Sequence, residues 1–110
     1  MNEMAEYTDE LVDGLLKVLK DQVVRIIIYG STARNEATPD SDVDIAVIIN
    51  GVMDAETEDL LSDFVVDMNL NFDKVFSVID IENQLFQRLE NISPFYKNVN
   101  KEGIVLWKAT

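Results

Sequence analysis

The chain has 110 residues, 47% of them hydrophobic, enough for one modest core in one domain spanning 1–110 and too apolar for a disordered chain. Twenty-one acidic side chains against nine basic ones leave a formal charge of −12. Such a surface repels phosphate backbones, which argues against DNA as a partner, and favours cationic partners or carboxylate-bound metal ions. With no cysteine and no histidine, disulfides, thiolate sites, Ser-His-Asp triads and histidine-ligated metals are excluded.

The first ten residues, "MNEMAEYTDE", are acidic and lack the basic start and apolar core of a signal peptide. No apolar run approaches the roughly 20 residues of a membrane span. A cytoplasmic protein without membrane contact is expected. The spacing of Leu11, Leu15, Leu16 and Leu19 predicts a helix from about Thr8, as N-cap, to Lys20. "VVRIIIY" (Val23–Tyr29), rich in β-branched residues, reads as a strand. Gly30-Ser31 breaks it, and "TARNEA" has the propensity for a short helix. Thr38-Pro39-Asp40-Ser41 is a turn by composition, and "DVDIAVII" (Asp42–Ile49) is a second strand.

"DAETEDLLSDFVVDMNL" follows as a helix, with Leu60, Leu61, Phe64, Val65 and Met68 in one apolar stripe and Glu56, Glu58, Asp59 and Asp63 on a solvated face. "KVFSVID" (Lys74–Asp80) reads as a third strand and "ENQLFQRLE" as a helix. Pro94 leads into another short helix, and "GIVLWK" (Gly103–Lys108) is a last strand carrying Trp107 as a core or edge aromatic. This order predicts an α+β fold, a small mixed β-sheet with helices packed on it.

One feature resists a purely structural reading. If Asp42–Ile49 is a strand, Asp42 and Asp44 share a face with their backbones roughly 6.5–7 Å apart, while Val43, Ile45 and Val47 take the other. Adjacent carboxylates repel unless something cationic lies between them. Hard oxygen ligands without nitrogen or sulfur point to Mg²⁺. Two such ions, roughly 3.5–4 Å apart on shared carboxylates, serve in-line phosphoryl or nucleotidyl transfer. Gly30-Ser31 complements them at the end of a strand and the start of a helix. There glycine lets a phosphate approach the backbone, the serine hydroxyl can donate to it, and Arg34 adds a charge one turn along. Together these residues form a site for a nucleoside triphosphate and its metals.

Other motifs fail. Asp40-Ser-Asp42-Val-Asp44 imitates a calcium-binding EF loop, but Ile45 and Gly51 stand where that loop needs glycine and glutamate. "GSTARNEA" lacks the Gly-Lys-Ser/Thr of a P-loop. Asn91-Ile-Ser93 is a formal glycosylation sequon in a chain with no secretory signal.

Gly30-Ser31, ten intervening residues, then Asp42-Val43-Asp44 resembles the signature of the DNA polymerase β-like nucleotidyltransferase superfamily. The short chain, with "YGSTAR" and "SDVDIAV", is similar to its MNT-type minimal members. The resemblance implies the polymerase β-like nucleotidyltransferase fold, triphosphate binding at Gly30 and Ser31, metal binding at Asp42 and Asp44, and transfer of AMP from ATP to a hydroxyl. It also implies a HEPN-type toxin as partner, with this chain as the antitoxin that adenylylates it.

Two positions depart from the family pattern. Asn35 stands where glycine is common, and asparagine tolerates left-handed φ better than most residues. The third carboxylate, the expected general base on the next strand, is replaced: Ser77 occupies that position. Asp73 lies on the same face four residues earlier and is the better base candidate, while Asp80 lies on the opposite face. Their structural alternatives are a turn residue for Asp73 and a helix N-cap for Asp80. A catalytically weak module that neutralises a basic partner by contact is the competing function, and a small-molecule adenylyltransferase is a third. The acceptor, the nucleotide preference and the homo- or hetero-oligomeric state stay open.

Overall fold

The two apolar runs that flank the polar segment become neighbouring central strands. The computed structural model describes residues 3–38 and 40–110. The chain runs α1 (Glu3–Leu19), a 3₁₀ turn (Lys20–Gln22), β1 (Val23–Tyr29), α2 (Gly30–Ala33), β2 (Val43–Ile49), α3 (Ala55–Phe72), β3 (Phe76–Glu82), α4 (Asn83–Leu89), α5 (Pro94–Glu102) and β4 (Ile104–Lys108). The fold is mixed α+β, as the pattern predicts. The strands lie in the order β3-β2-β1-β4, with β2 and β3 parallel and the other pairs antiparallel.

Helices cover the sheet on both faces, which explains why the central strands read as unbroken apolar runs rather than alternating ones. Along β2, Val43, Ile45, Val47 and Ile49 enter the core beneath α1 and α3, together with Leu11, Leu15, Leu61 and Met68. Ala46 and Ile48 enter the opposite core with Ile27, Ile81, Phe86 of α4 and Val99 of α5. Asp44 follows the second alternation, so it faces the α4–α5 side at the start of its strand.

Several boundaries differ from the sequence expectation. β2 starts at Val43 and leaves Asp42 just outside the strand, β4 starts at Ile104, and α2 starts at Gly30 rather than in "TARNEA". Three further shifts have tertiary causes. First, α1 starts at Glu3, so Thr8 lies inside the helix. The apolar stripe reaches back to Tyr7, which is 2% exposed and meets Phe72 and Phe76 edge-on at 6.3 and 5.1 Å. Burying that ring extends the helix past its sequence cap.

Second, β3 begins at Phe76 and ends at Glu82, two residues later than expected. Helix α3 persists to Phe72, Asp73 turns the chain in a left-handed conformation (φ 51°), and Asn69 Oδ1 accepts from Phe76 N–H at 2.8 Å. Third, Glu82 rather than Asp80 caps α4, its carboxylate accepting from Gln84 N–H at 2.7 Å. Asp80 is a strand residue opposite Val47.

The turn before β2 closes as composition suggests, Ser41 N–H donating to the Thr38 carbonyl at 3.0 Å; Pro39 lies outside the described residues. Trp107 packs partly against the first core from the edge strand β4. The acidic residues of α3 named above are exposed. Among the described residues no helix is long and apolar enough to cross a membrane.

Candidate active site

The antiparallel register of β1 and β2 sets Tyr29 opposite Asp44. Gly30, the next residue, therefore sits directly over the Asp44 carboxylate. Its φ is +72°, and a side-chain carbon built on it would run into Asp44 Oδ2, with Cγ at 3.3 Å. The left-handed backbone favours glycine here, and any side chain would displace the Asp44 carboxylate. Ser31 follows in the single turn of α2, whose N–H groups have no side-chain cap and no intrahelical acceptors.

That turn ends in a Schellman motif. Asn35 N–H donates to the Thr32 carbonyl at 3.2 Å and Glu36 N–H to the Ser31 carbonyl at 2.8 Å, with Asn35 itself left-handed at φ 58°. Asparagine thus fills the position where glycine is common in related patterns, through its tolerance of that conformation.

Asp42 is exposed and Asp44 is half-buried. Burial, then the negative charge of Asp42, push the Asp44 carboxyl above the usual aspartate range, and Arg34 pulls it partly back. Burial and the charge of Asp44 likewise push the Tyr29 phenol up. Arg34 is fixed by two carboxylates: its Nε donates to Glu36 Oε2 at 3.2 Å and its Nη1 to Glu102 Oε2 at 3.4 Å. Glu102 comes from α5, 68 positions away, and no local signal in the sequence connects it to Arg34.

The structure therefore gathers Gly30, Ser31, Arg34, Asp42 and Asp44 at the junction of β1, α2 and β2. Asp73 does not complete a trio with the two aspartates. It is exposed at the end of α3, and among the described residues no three acidic side chains come together closely enough to hold a metal ion. The parallel register of β2 and β3 places Ser77 opposite Asp44 on the same face, while Asp80 points to the other. The turn reading of Asp73 holds.

A divalent cation fits this donor set. Two aspartates strain against each other, and the one guanidinium acting on Asp44 already bonds two other carboxylates. Mg²⁺ commonly takes one or two protein carboxylates and fills its remaining positions with water and substrate phosphates, so two suffice.

Residues 12–106 match the family described as "Nucleotidyltransferase domain". A Methanocaldococcus jannaschii protein that carries the provisional name of protein adenylyltransferase is 33% identical over 98 residues, 89% of this chain and 92% of that one. Two solved structures share the fold. A toxin–antitoxin complex with AMP-PNP matches with a TM-score of 0.65 at 19% identity, over 94% of this chain and 74% of that chain. The complex of tri-AMPylated Shewanella oneidensis HEPN toxin with MNT antitoxin matches with a TM-score of 0.57 at 19% identity, over 96% and 74%. Glycine-serine set over a paired aspartate motif is thus carried by a chain that belongs to the nucleotidyltransferase domain family.

Proposed function

We propose that the protein transfers AMP from ATP, with Mg²⁺, to a hydroxyl of a partner protein in the cytoplasm, as the antitoxin of a HEPN/MNT-type pair. The observation that carries this reading is the Asp42–Asp44 pair, set under Gly30 with Arg34 close enough to act on Asp44. Gly30 and Ser31 offer backbone N–H groups and a hydroxyl to the triphosphate, and Arg34 a guanidinium held in place by Glu36 and Glu102. Asp42 and Asp44 would hold Mg²⁺, which would supply charge neutralisation to the triphosphate and to the leaving pyrophosphate. The acceptor oxygen would bond to the α-phosphorus as the bond to pyrophosphate breaks. The hydroxyl proton would pass to solvent or to a base of the partner, because Asp73 does not join the two aspartates.

The partner assignment draws support from the HEPN toxin and MNT antitoxin of the matched complex. The charge of −12 suits a cationic protein better than a nucleic acid. One observation favours a second reading, contact neutralisation with weak transfer. Ser77 stands opposite Asp44 where a carboxylate would complete the site.

Calorimetric titration tests the site. MgATP should bind, and Asp42→Asn/Asp44→Asn should weaken it by about tenfold or more. Equal affinity in the double variant, with and without Mg²⁺, would refute the metal assignment.

A further inference from the structure

Nine large apolar side chains are exposed among the described residues, and Phe95, at 43%, is the one aromatic ring in that set. It occupies the second position of α5 and meets Tyr29 edge-on, with ring centroids 5.6 Å apart and planes at 89°. Tyr29 is the register partner of Asp44. On its other side Phe95 meets Tyr96 at 5.6 Å and 59°. Both neighbours hold the ring at steep angles, and neither covers it as a stacked ring would.

The far end of the same helix also reaches the site. Glu102, its last residue, holds Arg34 at 3.4 Å. Helix α5 therefore runs beside the site, with Phe95 against Tyr29 at one end and the Arg34–Glu102 pair at the other. Seven residues of helix separate them by about 10 Å, the scale on which a nucleotide separates its phosphates from its base. A triphosphate seated at Arg34 and Gly30 would bring a base to Phe95.

We propose that Phe95 is the platform on which the nucleobase of the donor stacks; this rests on the nucleotide-transfer reading above. Every base has a π-face, so a stacking platform adds affinity without choosing between purines. The site then takes its nucleotide by phosphates and metal at one end and by shape at the other.

Calorimetry with two probes tests this, Mg²⁺ with ATP and Mg²⁺ with inorganic tripolyphosphate, which has no base. Phe95→Ala should weaken ATP binding by about 5- to 100-fold, the range of base-on-aromatic stacking, and leave tripolyphosphate binding unchanged. Phe95→Trp should keep ATP binding, and Phe95→Leu, which preserves bulk without a ring face, should lose it as alanine does. Equal losses for both probes, or unchanged ATP affinity in the alanine and leucine variants, would overturn the platform while leaving the nucleotide site standing. A wild-type protein that binds neither probe would overturn both.

Discussion

Asp44 is the residue on which the site turns, and its titration makes the account testable without a partner. Its folded pKa lies above the ordinary value because of burial and Asp42. A group raised in this way favours the folded state fully below its unfolded pKa and loses that contribution as pH rises through the folded pKa. In metal-free protein at neutral pH, Asp44→Asn should therefore be more stable than wild type. Discounted for solvent screening, the gain is about 0.2–1 kcal/mol, a few degrees in Tm. The advantage should vanish as pH falls below the aspartate range. Saturating Mg²⁺ should reverse the ranking, because it stabilises only a folded site that holds it. Thermal melts across pH, with and without Mg²⁺, check all three signs.

At this scale the sequence was informative where chemistry is local. Gly30, Ser31, Arg34, Asp42 and Asp44 were legible because two strands and a fixed spacing bring them together. The ion pair from Glu102 and the ring contact from Phe95 were hidden, since only tertiary packing carries α5 back to the end of β1.

Among the elements, α2 shows how a four-residue turn can shape a site. It depends on its Schellman closure, and that closure depends on a left-handed Asn35. Asn35→Gly should be close to neutral in stability, whereas Asn35→Ala should cost about 1 kcal/mol because alanine lacks asparagine's local compensation there. Urea denaturation of the two variants measures the difference, and equal stabilities would mean that the closure contributes nothing. The order of elements was readable throughout from apolar periodicity. Boundaries that moved for tertiary reasons did so through the burial of Tyr7 at the start of α1 and the persistence of α3 to Phe72. That persistence also carries Asp73 into a turn, so strand alternation could not have located it.

Over the whole molecule, the dominant facts are the charge of −12 and the concentration of like charge at the site. Glu36 and Glu102 bond the one guanidinium that acts on Asp44, and Asp42 adds its negative charge beside Asp44, so a bare triphosphate would meet net repulsion and should arrive with its cation. The same field would favour a basic protein surface over nucleic acid. The central claim, transfer to a partner protein at the paired aspartates, is most directly tested by label transfer from α-labelled ATP to a co-purified HEPN-type partner. Wild type should label the partner, Asp42→Asn/Asp44→Asn should not, and Ser77→Asp should label it faster, by at least about tenfold if a missing base limits the rate. An unlabelled partner that wild type nonetheless neutralises would contradict the account and make the protein a contact inhibitor on a transferase fold.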